Sequence, residues 1–144
     1  MTTYPHYYTA KASAEPQGSV TLEAENVPPI RSAPPAQFGG SGDEWSPEVL
    51  LIAAVADCMI LSFRAIARAS KLDWRDLACE AQGVLDRADG VTRFTAVVLT
   101  ATLRVPSGTD QTKAQRLLEK AKETCFVTNS LTAECRLEAH IQSE

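Results

Sequence analysis

The stretch LIAAVADCMILSF, residues 51–63, decides how this chain is read. It is apolar enough for a protein interior, yet Asp57 and Cys58 stand side by side at its centre. Just before it, Ser46-Pro47-Glu48 opens a helix. Ser46 suits the cap position, Pro47 the first helical residue, and Glu48 the positive helix end. The spacing predicts a helix to about Ser70, apolar all round in its first half, as expected of a helix buried on most sides. Arg64 and Arg68 fall within roughly 20° of Asp57 on a helical wheel. Asp57 therefore heads a polar, solvent-facing or paired stripe. Cys58 shares an inward stripe with Ala54, Val55, Leu61 and Ser62.

On the N-terminal side, residues 7–14 and 19–27 predict two strands joined by the turn EPQG, with Pro16 and Gly18 as breakers. Val20, Leu22 and Ala24 alternate with polar residues, so one face is expected to be buried. Residues 28–46 hold four prolines and three glycines and read as a long, functional-looking loop. On the C-terminal side, residues 77–86 alternate, with Leu77, Cys79, Ala81 and Leu85 on one face. Residues 87–90 form a hairpin turn, and 91–105 the next strand. A second helix covers about 110–124, with Ala114, Leu117, Leu118 and Ala121 as its stripe. A last strand, 131–141, turns Ala133, Cys135, Leu137, Ala139 and Ile141 inward.

The order is thus ββ-α-ββ-α-β, an α+β fold with a largely antiparallel sheet, in one domain over residues 1–144. A long helix apolar on several faces needs more cover than one small sheet offers. A homodimer with its helices sandwiched between sheets is therefore expected. Net charge is −4 and the sequence pI about 5.2, a surface that repels phosphate backbones and argues against nucleic acid. Residues 1–11 show no secretory pattern. The longest apolar run, 49–56, ends at Asp57, short of the roughly 20 residues of a bilayer span. No membrane association and a cytoplasmic location are expected.

Four cysteines, Cys58, Cys79, Cys125 and Cys135, are unclustered, and the two histidines, His6 and His140, lie near the termini. No familiar metal spacing results. In a reducing compartment all four thiols rest reduced, so a disulfide here is expected to be catalytic rather than structural. Cys79 and Cys135 read as small core residues on inward strand faces. Cys58 and Cys125 lie on predicted helices, Cys125 continuing the stripe of Ala114, Leu118 and Ala121. If these helices pack together, the two sulfurs meet in a mostly apolar pocket. Lone buried cysteines are usually inert, so spacing alone leaves packing and reactivity both open. No serine or cysteine sits in a nucleophile-elbow context, which disfavours a hydrolase.

Residues 39–63, GGSGDEWSPEVLLIAAVADCMILSF, and 121–131, AKETCFVTNSL, carry a resemblance. They resemble the OsmC/Ohr family of osmotically inducible and organic-hydroperoxide-resistance proteins. The matching positions are Gly39-Gly40, Ser46-Pro47-Glu48, Cys58, Cys125, Asn129 and Ser130, within a similar element order. The resemblance implies an intertwined homodimer with two interfacial sites and thiol-dependent reduction of organic hydroperoxides without metal, haem, flavin or other cofactor. Cys58 would be oxidised to a sulfenic acid and condense with Cys125 to a disulfide, which a dithiol reductant of the lipoyl type would reopen.

The family activates its thiol with a hairpin arginine held by the glutamate that matches Glu48, so Glu48 is a candidate site residue. Here the hairpin turn, Glu15-Pro16-Gln17-Gly18, has no arginine. Arg31 is a possible substitute, though a solvated loop arginine is the simpler reading. Ten helical residues, about 15 Å, separate Glu48 from Cys58, so it would act through a bridging group. Phe126 replaces the proline that often follows the second cysteine and would reshape the pocket. The alternative is a redox-inactive dimer of the same fold that binds a small apolar ligand.

Overall fold

The computed structural model describes residues 3–144. The chain runs β1 (Lys11–Ser13), β2 (Val20–Glu23), β3 (Ile30–Ser32), one 3-10 turn (Ala36–Phe38), α1 (Pro47–Ala69), β4 (Asp76–Ala88), β5 (Val91–Val105), α2 (Gln111–Thr124), α3 (Phe126–Asn129) and β6 (Glu134–Ser143). It is α+β and divides into two compact units, Met1–Leu50 and Leu51–Glu144.

In the first unit β1, β2 and β3 form a three-stranded antiparallel sheet. The segment read as a long loop holds β3, the 3-10 turn and a bridge between Ser32 and Trp45, secured by Ala33 N–H donating to the Trp45 carbonyl at 2.8 Å. β3 escapes a sequence reading because Pro28, Pro29, Pro34 and Pro35 flank only three residues. Gly39 closes the 3-10 turn with a positive φ of 90°. A side chain at Gly40 would collide with the Pro34 carbonyl, so the chain doubles back there only on glycine. Val20 and Leu22 are half-buried and Ala24 is exposed, so the expected buried face is only partly covered. Among the described residues of this unit, no apolar side chain is fully buried.

The second unit carries the core. β4 and β5 pair antiparallel around a two-residue turn, Asp89-Gly90, both with positive φ as a type I′ hairpin requires. The register shifts at Val84/Leu85, where Thr95 of β5 is left without a partner, and beyond that point Leu85 is exposed rather than inward. β6 lies parallel to β5, so this sheet is mixed. The reason is the crossover: α2 carries the chain back to the starting end of β5 before β6 begins.

One ridge of α1, Val55, Met59, Phe63 and Ala67 at four-residue spacing, is fully buried. Its lower part packs with Ala101, Leu103 and Val105 of β5 and with Ala114, Leu118 and Ala121 of α2. Val55 packs with Val97 and Leu99. Burying each large side chain contributes about 1.5–3 kcal/mol. Asp57 interrupts the apolar run but not the helix. On length and composition α1 is able to cross a membrane, with a mean hydropathy of 2.2. Within this chain one ridge of that apolar length lies in the core. Burial on most sides does not hold within one chain, because Leu61 is 51% exposed.

Candidate functional site

Cys58 sits on α1 one turn after Val55 and directly before Met59, the residues that anchor the two halves of the core. It is half-buried, and Ser62, one turn on, lies beside it with Oγ 3.9 Å from Sγ. Leu61 is not part of this stripe. It turns outward, as does Asp57, which is solvent-facing as its helical phase requires.

Cys125 does not continue the α2 helix. It is the joint between α2 and α3, with extended backbone at φ −67° and ψ 119°, and is fully buried. α2 is placed from its other end: Asp110 caps it by accepting from Lys113 N–H at 3.1 Å, and Lys113 Nζ donates to the Ser70 carbonyl at 2.9 Å. The short turn after Cys125 is fixed by Asn129 N–H donating to the Cys125 carbonyl at 2.9 Å, Asn129 Nδ2 to the Glu123 carbonyl at 3.2 Å, and Ser130 Oγ to the Phe126 carbonyl at 2.8 Å. These bonds explain why polar residues follow the cysteine at 129 and 130.

The two thiols lie near enough to act on each other's proton affinity. Burial pushes the Cys58 thiol up. Hydrogen bonds from the Cys125 side chain, the Val127 backbone, Ser62 and the Phe126 backbone outweigh that, so Cys58 lies below its ordinary value. Cys125 moves the opposite way: burial raises it, as does its role as donor to Cys58, against a lowering influence of the Thr128 side chain and backbone. The proton affinities of the two thiols are thus driven in opposite directions, Cys58 down and Cys125 up. The groups that lower Cys58 are all uncharged.

The remaining cysteines behave as core residues. Burial, with the proximity of Cys125, pushes Cys79 up to about 11. Burial also raises Cys135, against a smaller effect of Lys122. Both pack on the Val55, Val97, Leu99 cluster.

Glu48 and Arg31 belong to the first unit. Glu48 is half-buried, and its Oε1 is fully shielded without a hydrogen-bond partner among the described residues. Arg31 is exposed and engaged elsewhere: Nε contacts Glu44 at 3.0 Å, and Nη2 donates to Ser19 at 3.0 Å. Phe126 is 76% exposed at the start of α3. The backbone donors of Phe126 and Val127 were not legible as site groups, because peptide groups leave no mark in a sequence. Thr128 was legible in principle, since a residue three beyond a cap faces the cap side chain. Among the described residues no cluster of histidine, cysteine and carboxylate groups is arranged to hold a metal.

Comparison with known proteins places this geometry. Residues 40–140 match the family model described as OsmC-like protein. An uncharacterised Bacillus subtilis protein, YmaD, is 26% identical over 127 residues, covering 85% of this chain and 84% of its own length. A solved OsmC-like protein of unknown function from Vibrio cholerae superposes with a TM-score of 0.85 at 21% identity, covering 94% of this chain and 99% of that one. An organic hydroperoxide resistance protein from Elizabethkingia anophelis superposes with a TM-score of 0.79 at 19% identity, over 99% of this chain and 100% of that one. The organic hydroperoxide resistance protein OsmC of Legionella pneumophila gives 0.75 at 24% identity, over 97% and 99%. With the family model spanning most of its length and the same fold in each superposed structure, this chain belongs to the OsmC-like protein family.

Proposed function

We propose that the protein is a thiol peroxidase that reduces organic hydroperoxides, with Cys58 as the peroxide-reacting thiol and Cys125 as the resolving thiol. The observation that carries this reading is the mutual influence of these two nearby sulfurs, one lowered and the other raised in proton affinity. Thiolate is the nucleophile, and a site that favours it on one of two adjacent sulfurs suits the chemistry. Similarity to proteins named for organic hydroperoxide resistance supports the same reaction class.

The cycle needs no cofactor. Cys58 thiolate takes the terminal peroxide oxygen and becomes a sulfenic acid, Cys125 displaces that oxygen to form the disulfide, and an external dithiol, such as a lipoyl group, restores both thiols by exchange. The working form is proposed to be a homodimer in a reducing compartment. Exposed Leu61 and Phe126, and a first unit without a fully buried apolar residue, favour cover by a second copy. Glu48, with a shielded and unpartnered oxygen, is proposed to find its partner in that assembly.

The deciding experiment adds one equivalent of cumene hydroperoxide to fully reduced protein and counts free thiols. The expected fall is from four to two, with a Cys58–Cys125 disulfide in the peptide map. Cys58→Ser is expected to consume no peroxide, whereas Cys125→Ser still converts Cys58 to a sulfenic acid. Four surviving thiols in the wild type would sink the peroxidase reading and leave the ligand-binding dimer.

A further inference from the structure

Thr128 is 8% exposed, and its Oγ1 is buried without a hydrogen-bond partner among the described residues. Buried hydroxyls are rarely left so, and each such exception calls for an explanation. Its place in the fold supplies one. Cys125 is the residue that caps α3, and Thr128 is third in the turn that follows, the position whose side chain and N–H face the cap. The Cys125 side chain makes no capping hydrogen bond while it is a thiol. Sulfur in the thiol form is a weak acceptor, whereas a thiolate accepts strongly. Thr128 is thus an idle donor beside a sulfur that must ionise during the proposed cycle.

We infer that Thr128 is a positioning residue for the resolving step, its hydroxyl kept free in the reduced protein so that it holds the Cys125 thiolate when that thiolate forms. This rests on the peroxidase reading and deepens it. The direction in which Thr128 moves Cys125, toward the ionised form, agrees with the placement.

The steps balance as follows. Cys58 thiolate attacks the terminal oxygen of the hydroperoxide; the S–O bond forms and the O–O bond breaks. The departing alkoxide takes the proton of the Cys125 thiol and leaves as the alcohol. The Cys125 thiolate turns its sulfur lone pair to the Thr128 hydroxyl and then attacks the sulfur of the Cys58 sulfenic acid. The S–S bond forms, the S–O bond breaks, and hydroxide leaves to take a proton from solvent. The two sulfurs lose two electrons, and the peroxide bond gains them. One thiol therefore acts as donor, acid and nucleophile in turn, and Thr128 spans the interval between the last two.

The test is a quenched-flow series with cumene hydroperoxide over pH 6–9, in which Cys58 sulfenic acid is trapped with dimedone and disulfide is measured by mass. Wild type, Thr128→Val and Thr128→Ser are compared, with Thr128→Ala as the second hydroxyl-free variant should the valine protein not fold. The expected result without the hydroxyl is a fall of about tenfold in the rate of disulfide formation relative to sulfenic acid formation. The pH midpoint of the disulfide step should rise, and serine should restore both. An unchanged ratio and midpoint in a folded hydroxyl-free variant would overturn the role of Thr128 while sulfenic acid formation still upheld the peroxidase. Absence of sulfenic acid in the wild type would overturn both.

Discussion

At the scale of single residues, the lowered proton affinity of Cys58 is a matter of donors. Burial alone would raise this thiol, and its four hydrogen-bonding neighbours bring it below its ordinary value. A lowered thiol ionises at lower pH, so alkylation of Cys58 by iodoacetamide should rise with pH about a midpoint below the ordinary ~8.5 of a free cysteine. Cys79, pushed up to about 11, should stay unmodified across the same range. Cys125→Ala removes the strongest of the donors to Cys58 and should move its midpoint upward, whereas Cys125→Ser keeps an O–H in place and should move it less. Peptide mass mapping of the alkylated protein against pH reads all of these. Equal midpoints in the alanine and serine variants would sink the account.

At the scale of elements, the site depends on how α1 and α2 are seated. Phe63 is fully buried and stands edge-on to Trp74 at a centroid distance of 5.4 Å. Phe63→Ala should cost about 3–5 kcal/mol of unfolding free energy in urea, since it deletes a large side chain where the sheet and α2 leave little room to collapse. Asp110→Ala should cost only about 1 kcal/mol, because it removes one capping bond at an exposed helix end. Both elements were legible from the 3.6-residue spacing of their apolar positions. The end of α2 near 124 was legible too, but the role of Cys125 as the joint to a second short helix was not. The stripe of Ala114, Leu118 and Ala121 extends to Cys125 without a break in phase, and only the bonds of Asn129 and Ser130 reveal that the chain has turned.

At the scale of the whole molecule, the question is what covers the apolar residues that one chain leaves in water. Leu61 lies three residues from Cys58 on α1 and is half in solvent. If a second copy covers it, the wild type should sediment at twice the 15.6 kDa of one chain. Leu61→Glu should then shift the protein toward monomer, since an unpaired carboxylate resists burial in an apolar contact. Sedimentation equilibrium of both proteins decides this, and a monomeric wild type would remove the dimer from the proposal.

The sequence by itself determined the long helices and strands of the second unit and, through a family resemblance, singled out two candidate thiols. Apolar period, helix caps and turn residues are local signals, and cysteines ten residues past Ser-Pro-Glu and before a Thr-Asn-Ser run are visible in one dimension. Tertiary structure alone decided that β6 lies parallel to β5, that Leu85 stands exposed, and which groups surround each sulfur. The physical reason is that a thiol's proton affinity is set by donors and burial a few ångströms away. Those neighbours are largely groups at Cys125 and on α3 brought to α1 across nearly seventy residues of chain, a distance over which sequence carries pattern but not contact.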